Sequence, residues 1–430
     1  MDPTTLPEAR YQRMLQHVVE LADSKTNLLD ALSQEAVHER KTEDPFDQQL
    51  LTRTLTQLKA TLVEYSAGPR DMFAFVVNEG GLHVVRLGNR QAISTAAAEL
   101  HDRLLDPESP RSEVRSAAQQ LAKLVLWPLT AHLSAKRLIF VPDEGLHTIP
   151  FNILPWSQSP SDQLVLQHAE VSIVPSALFL TRLEANIPLR VSAPRVELLG
   201  DPVFRISDWH TECADALGTQ KTAQTTRAAS DWTESLPRLP GSRAEVQMIA
   251  RLTQQSRPSS HVEMLLGCQA VPSALRRAAS GRVDLLHIAT HARVDSQRPR
   301  LSSLALTPEN KDDSRSGTFG LLDILGLKLS TNLVVLSACE TSRGRLLPGE
   351  GVLGPAQAFL QAGAGAVIAS YWRVDDLSTS AFMQRFYKYL LSERLPAATA
   401  LRRAQLEDAE SSGTNDWAAF SLYGWPDSSI

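Results

Sequence analysis

The sequence is poor in cysteine, in long apolar runs and in excess positive charge. Three cysteines among 430 residues cannot build the disulfide framework of a small secreted domain, and no two of them have zinc-site spacing. The apolar stretches are only strand-length, and the N-terminus lacks the regions of a secretory signal. A net charge of -5 gives no basic footprint for nucleic acid or an anionic membrane. We therefore expect a cytoplasmic protein, without metal or cofactor, that does not bind membranes and does not bind nucleic acid directly.

What is present is a chain long enough for two or more packed units. Apolar residues at helical spacing predict helices near the N-terminus, the second of them at 50–65. Further along, strands alternate with helices, which indicates a mostly parallel sheet covered on both faces. The predicted units are a helical region at 1–66, an α/β half at 67–205, a linker or mobile loop at 206–234 and a second α/β half at 235–430.

Two apolar strand runs in the second half end on reactive side chains. VDLLHIATHARVD carries His291, and NLVVLSACETS carries Cys339. Ligands of parallel sheets bind beyond the carboxyl ends of the strands, where an imidazole within about 3 Å of a thiol can manage its proton and favour the thiolate. The two residues are 48 positions apart, against about 50 in the caspase pattern. A cysteine that closes a buried strand is also a common core residue, so this spacing leaves both interpretations open.

Further segments occur in a characteristic order. They are RLIFVPDEGLHTIPFNILP at 137–155, VPSALFL at 174–180, LLGDPVF at 198–204, LPGSRAEVQMIARL at 239–252, DLLHIATHA at 284–292, LSACETS at 336–342, PGEGVLGPAQAFLQAGAGAVIASYWRVDD at 348–376 and ALRRAQ at 400–405. From about 72 to 425 the chain resembles the CHAT-domain proteins, which are caspase- and separase-related cysteine peptidases of clan CD. The resemblance implies a caspase-like three-layer α/β sandwich, preceded by a pseudo-protease α/β half and the N-terminal helical region.

By this resemblance His291 corresponds to the catalytic histidine of the family and Cys339 to its nucleophile. The backbone N–H groups of Ala292 and Cys339 correspond to the oxyanion hole. Two positions depart from the family pattern, since glycine is common where this chain has Ala292 and Ser342. The added methyl group at Ala292 can narrow the approach or demand a different φ.

The resemblance also implies an acidic pocket for a substrate Arg or Lys at P1. Asp376 is the favoured pocket floor and Asp375 the second candidate, although both could simply cap a helix that begins near Leu377. Glu340 lies either beside the P1 cation or in solvent. The segment from Ser370 to Val374 resembles the strand that pairs with substrate in caspases, and Trp372 there either lines the pocket or packs in the core.

Two other histidines are interpreted as non-catalytic. His287 lies four residues before His291 inside a strand, where the ligand geometry of a helical His pair does not apply, so we expect a structural role. His147 follows a strand of the first half without a matching cysteine, which favours a pseudo-protease scaffold for that half.

The leading hypothesis is a cysteine endopeptidase that cleaves a protein substrate after Arg or Lys and acts as a regulated effector. We expect residues 1–66 to dock a regulatory protein partner or a second copy of the chain. The alternative is a non-catalytic CHAT-fold scaffold that mediates protein–protein interaction.

Overall fold

The computed structural model of the chain describes most of the residues beyond the N-terminal segment. The described residues are 47–133, 136–158, 163–186, 192–213, 232–295, 301–310, 313–338, 345–347, 351–372, 374, 376–411 and 416–430. The chain divides after Gln48, and Gln49–Ile430 form one compact unit. The helix predicted before residue 41 lies outside the described residues. In the part of the chain that is described, no helix is both long enough and apolar enough to cross a membrane.

Sixteen strands are found among the described residues. They are β1 Thr61–Ala67, β2 Asp71–Asn78, β3 Gly81–Asn89, β4 Arg137–Val141, β5 Glu170–Ile173, β6 Arg195–Gly200, β7 His261–Leu266, β8 Arg282–Ala289, β9 Ala292–Arg293, β10 Ser303–Ala305, β11 Thr318–Gly320, β12 Ser330–Ser337, β13 Arg345–Leu347, β14 Gly351–Leu353, β15 Ala364–Ser370 and β16 Phe420–Gly424.

The α-helices of the described chain are α1 Gln48–Leu58, α2 Arg90–Leu105, α3 Arg111–Val125, α4 Val165–His168, α5 Ala177–Asn186, α6 Ile206–Glu212, α7 Pro240–Ser256, α8 Pro272–Ala278, α9 Leu321–Leu325, α10 Pro355–Gln361, α11 Asp376–Tyr387 and α12 Ala397–Ser411. A π-helical turn, Lys388–Ser392, continues α11. Short 3-10 turns are Trp127–His132, Glu144–Thr148, Phe151–Ile153, Trp232–Ser235, Gly267–Gln269, Ser314–Gly317 and Asp416–Ala419.

Eleven strands form one sheet in the order β3-β2-β1-β4-β5-β16-β15-β12-β8-β6-β7. Strands β1, β4, β5 and β16 are parallel to one another, and so are β15, β12, β8, β6 and β7. The two blocks meet where β16 runs antiparallel to β15. Their carboxyl ends therefore open on opposite edges of the sheet, and the edge beyond β8 and β12 is the one that concerns His291.

Both faces of the sheet are covered. In β4, Leu138 and Phe140 belong to the main apolar core, whereas Ile139 and Val141 belong to a second cluster that includes residues of α1 and α5. This division follows from the alternation of side chains along a strand. β8 and β12 are buried along nearly their whole length, as expected for central parallel strands. The predicted three-layer α/β architecture with a large, mostly parallel sheet is confirmed.

Three predicted segments differ from the structure. Residues 61–66, assigned to the N-terminal helical region, lie in β1, because the chain turns at Lys59 (φ 51°) and pairs with β2 and β4. β6 was assigned to the first half, yet it pairs with β7 and β8. The predicted linker begins with helix α6, whose Trp209 is buried. Residues 214–231 of that linker lie outside the described residues.

Candidate active site

His291 is held with its ring in one orientation. It lies two residues beyond the end of β8 and is 7% exposed. Its Nε2 is 3.0 Å from the carbonyl oxygen of Pro237. Because a carbonyl oxygen can only accept, this bond requires a proton on Nε2, and Nδ1 is then the basic nitrogen of the neutral ring. The contact therefore selects the tautomer in which Nδ1 can take a proton.

The imidazole also packs against an aromatic ring. The centroid of the buried Phe204 ring is 5.1 Å from that of His291, and the two planes are inclined by 52°. Phe204 follows Val203, whose N–H donates to the Thr307 hydroxyl over 2.9 Å. The Thr307 hydroxyl in turn donates to the Gly267 carbonyl over 2.7 Å. The segment that carries Phe204 is thus held by Thr307 and Gly267.

The ends of β8 and β12 lie level with each other. Ala289 is opposite Ser337 in their parallel ladder, and the Thr290 N–H donates to the Ser337 carbonyl over 3.2 Å. On the other side of β12, the Ser370 hydroxyl donates to the Ala338 carbonyl over 2.8 Å. The backbone is therefore held on both sides up to the residue that precedes Cys339 in the sequence. Cys339 and Glu340 lie outside the described residues.

Ala292 begins β9, where it pairs with Leu304 of β10, and the Ala305 N–H donates to the His291 carbonyl over 2.9 Å. This small antiparallel ladder fixes the backbone that follows His291 and can hold an alanine where the family pattern has glycine. The oxyanion role of the Ala292 N–H stays a prediction.

Two of the residues predicted to contact substrate, Ser370 and Trp372, are buried among the described residues. Ser370 is 3% exposed and pairs with Phe420 of β16, and its role in binding substrate stays a prediction. Trp372 is buried, and its ring lies 6.3 Å from that of Tyr371, which agrees with the core alternative. Asp376 is the first residue of α11, and Asp375 lies outside the described residues. The pocket role of the two aspartates stays a prediction.

His287 belongs to a buried polar cluster. Its Nδ1 lies 2.8 Å from the Tyr387 hydroxyl, and its Nε2 lies 2.9 Å from Glu245 Oε1. The second pair is close enough for an ion pair, although it is not aligned as a hydrogen bond. Burial first, and then the Glu245 charge, raise the pKa of Tyr387 well above its ordinary value. The structural interpretation of His287 agrees with these contacts, which join β8 to α7 and α11.

Residues missed by the sequence interpretation lie directly behind His291. Pro237 acts through a backbone carbonyl, which no side-chain motif can reveal. Asp201 ends the LLGD segment and binds Arg238, the neighbour of Pro237. The sequence offered one indication of these residues, because the motif LLGDPVF contains both Asp201 and Phe204.

Cys213 and Cys268 are joined by a disulfide whose Cα atoms are 5.4 Å apart. Cys213 packs with Val203 and Trp209, and Cys268 adjoins this small cluster. The disulfide therefore ties α6 to the turn after β7, close to the segment that carries Phe204. The pairing of these two cysteines was not predicted.

His147 lies at the other edge of the sheet, after β4, and its environment makes a pH effect predictable. Burial lowers the pKa of its imidazole to about 4, against the smaller, opposite influence of Asp143. In the unfolded state the same imidazole has a pKa of about 6.5, so between about pH 4 and pH 6.5 the unfolded state binds more protons than the folded state. The folded state therefore loses stability as the pH falls through this range. We expect His147→Gln to reduce the stability difference between about pH 7 and about pH 4.5 by about 2 kcal/mol.

Urea unfolding at the two pH values measures this difference, with exposed His210→Gln as the matched control. An unchanged pH dependence in His147→Gln would show that the buried imidazole does not contribute.

The CHAT domain family model matches residues 115–425, more than half of the chain. The protein therefore belongs to the CHAT domain family, which confirms the resemblance seen in the sequence. Tetratricopeptide repeat protein 28 of Mus musculus is 26% identical over 308 residues, which cover 61% of this chain and 12% of that relative. The chain thus spans only a small part of the curated relatives that it matches.

Two solved structures are similar in fold. Separase of Saccharomyces cerevisiae, in its complex with securin, has a TM-score of 0.49 at 9% identity, covering 88% of this chain and 30% of that chain. The Arg specific cysteine proteinase gingipain R has a TM-score of 0.43 at 12% identity, covering 79% of this chain and 74% of that chain. A complex of the pro- and mature domains of this proteinase from Porphyromonas gingivalis is similar as well.

Proposed function

We propose that this chain is a cysteine endopeptidase in which Cys339 is the nucleophile and His291 the general base. The observation that carries the proposal is the orientation of His291, whose Nε2 is bound by the Pro237 carbonyl so that Nδ1 remains the basic nitrogen. Membership of the CHAT domain family supports it. So does the register of β8 and β12, which end level at Ala289 and Ser337, two residues before His291 and Cys339.

In the proposed mechanism Nδ1 of His291 takes the proton from the Cys339 thiol, and the thiolate attacks the carbonyl carbon of the scissile peptide bond. Backbone N–H groups of Ala292 and Cys339 stabilise the resulting oxyanion. His291 then gives the proton to the leaving amine, and an acyl-enzyme remains. Water, deprotonated by the same imidazole, attacks the acyl carbon and releases the carboxylate product and the free thiol.

The proposed substrate is a protein with Arg or Lys at P1. Its cation is recognised by Asp376, with Asp375 and Glu340 as the neighbouring acidic candidates. A carboxylate in a partly enclosed pocket forms charge-assisted hydrogen bonds with guanidinium or ammonium groups, which gives this class of P1 residue a clear advantage. The Ser370 hydroxyl donates to the carbonyl of Ala338, the residue before Cys339, and so helps to fix the backbone there.

The enzyme is further proposed to be a cytoplasmic, regulated effector that meets a regulatory protein through its N-terminal residues. A curated relative of this chain is named a tetratricopeptide repeat protein, which supports the proposal of protein partners. β1 and all of α1 except Gln48 belong to the compact unit, so we propose Met1–Gln48 as the partner-binding segment.

Covalent labelling tests the dyad. We expect a peptidyl electrophile with Arg at P1 to modify Cys339, as mapped by mass spectrometry. His291→Ala is expected to slow the modification by about 10²- to 10⁴-fold, because the proton acceptor is lost. Cys339→Ala is expected to abolish it.

The pocket is tested by Asp376→Asn, because asparagine can still cap a helix but carries no charge. This variant should lose the preference for the Arg probe over the same probe with norleucine at P1. Asp375→Asn and Glu340→Gln, tested in the same way, show how much each neighbouring carboxylate contributes. Modification that does not depend on His291 would refute the dyad. A folded wild type that reacts with neither probe would favour the non-catalytic scaffold.

A further inference from the structure

The carbonyl that binds His291 lies in a segment anchored by a charged side chain. Pro237 is followed by Arg238, whose Nε and Nη2 donate to Asp201 Oδ1 over 3.2 and 2.9 Å. Its Nη1 donates to Glu212 Oε1 over 2.6 Å. A guanidinium held by two carboxylates in this way has little freedom to rotate. The position of the neighbouring Pro237 carbonyl is thereby tied to Asp201 and Glu212.

Asp201 combines a buried charge with an uncommon backbone conformation. It is buried at the end of β6 and has a φ of +50°, which is uncommon for a residue other than glycine. Its N–H donates to the Ser242 hydroxyl over 2.8 Å, and Arg243 Nε donates to its Oδ2 over 2.7 Å. Both carboxylate oxygens are therefore used, one by each arginine. A buried carboxylate is tolerable in such a setting because its charge is matched and its lone pairs are satisfied.

The Asp201 carboxylate is connected to both groups that contact the His291 imidazole, the Phe204 ring and the Pro237 carbonyl. Asp201 is three residues before Phe204, which packs on the His291 ring, and through Arg238 it holds the segment whose carbonyl binds Nε2. Glu212, the second anchor of Arg238, is the residue before Cys213 of the disulfide. One arginine thus connects the end of β6, the end of α6 and the carbonyl that orients His291.

We propose that Arg238 is a positioning residue for His291: by binding Asp201 and Glu212 it fixes the Pro237 carbonyl and keeps the imidazole in its Nε2–H tautomer. Arg243 also binds Asp201 but belongs to the first turn of α7 and, unlike Arg238, is not the chain neighbour of Pro237, so we do not assign it this role. The inference about tautomer and orientation stands on geometry. Its consequence for catalysis rests on the proposed function.

The tautomer is measured by ¹⁵N NMR of histidine-labelled protein. The chain has 11 histidines, and His291→Gln identifies the signals of His291 by difference. In the wild type we expect a neutral ring with the proton on Nε2. In Arg238→Ala and in the polar but uncharged Arg238→Gln we expect averaged nitrogen shifts that show both tautomers. Arg243→Ala is the matched control and should give the wild-type spectrum. Arg238→Lys should restore the spectrum only in part, because an ammonium cannot make the forked contact.

An Nε2–H tautomer that is unchanged in both Arg238 variants would overturn the proposal, and so would an equal change in Arg243→Ala. The labelling rate of Cys339 gives the second readout. We expect Arg238→Gln to lower the maximal labelling rate by up to about 100-fold while the probe concentration at half-maximal rate changes little, because the ring is misplaced but the pocket is not. If the tautomer depends on Arg238 but wild-type Cys339 does not react, the proposed peptidase function fails and the positioning role remains.

Discussion

Replacing His287 with alanine is expected to lower the free energy of unfolding by about 3–5 kcal/mol. The imidazole is 0% exposed and the side chain of Glu245 is 2% exposed, with 2.9 Å between Nε2 and Oε1. Without the imidazole, the Glu245 carboxylate is left buried beside apolar residues, and the Tyr387 hydroxyl loses its partner at 2.8 Å. Both groups then carry a desolvation cost that no contact offsets. Urea unfolding at neutral pH, followed by circular dichroism, measures the change.

The matched control is the triple variant Glu245→Leu, His287→Leu, Tyr387→Phe. It removes all three polar groups together and is expected to recover much of the lost stability, because an apolar cluster of similar volume leaves nothing uncompensated. A single-variant loss below about 1 kcal/mol would contradict the assignment of a buried, mutually dependent cluster. A triple variant less stable than His287→Ala would contradict it as well.

This cluster shows why a motif histidine can be interpreted from sequence only in part. HIATH places two histidines four residues apart, and the sequence alone does not show that only the first lies inside the strand. The strand-end rule correctly separated His287, inside β8, from His291, beyond it. The partners of His287 could not be predicted, since Glu245 and Tyr387 come from helices that are distant in sequence and meet only in the folded protein.

The sheet was predictable where strands carry their own signal. β4, β8 and β12 are continuous apolar runs, and the structure contains each of them near the predicted position. β16, FSLYG, was missed, although it joins the two parallel blocks by pairing with β5 and β15. Its five residues differ little from any short apolar stretch, and only tertiary pairing makes them a strand. β1 was taken for helix for the same reason.

The candidate site divides in the same way. The sequence made His291 a candidate because parallel strands present their carboxyl ends at one edge and the HIATH motif lies at the end of such a strand. The contacts that orient it were not found. The Pro237 carbonyl is a backbone group, so no side-chain motif identifies it. The left-handed φ of Asp201 cannot be predicted from the sequence either. The candidate histidine therefore has a sequence signature, whereas the backbone carbonyl and the carboxylate that orient its ring do not.

Reduction of the Cys213–Cys268 disulfide is expected to lower the free energy of unfolding by about 4 kcal/mol, the chain-entropy value for a loop of this length. The two residues are 55 positions apart, so the bond restricts a long segment of the unfolded chain. Urea unfolding with and without a phosphine reductant measures the effect. Cys339→Ala is the suitable background, because it removes the remaining thiol. Cys213→Ala/Cys268→Ala in that background is the control and should not respond to the reductant.

The native oxidised wild type should show one reactive thiol, and three thiols together with an unfolding midpoint insensitive to the reductant would refute the bond. The outcome bears on the compartment, since disulfides are rare in a reducing cytosol.

The disulfide also bears on the orientation of His291. Cys213 follows Glu212, which anchors Arg238 beside the Pro237 carbonyl. If the bond is present only under oxidising conditions, the orientation of the imidazole becomes sensitive to them, and the His291 tautomer measured before and after reduction decides whether it is.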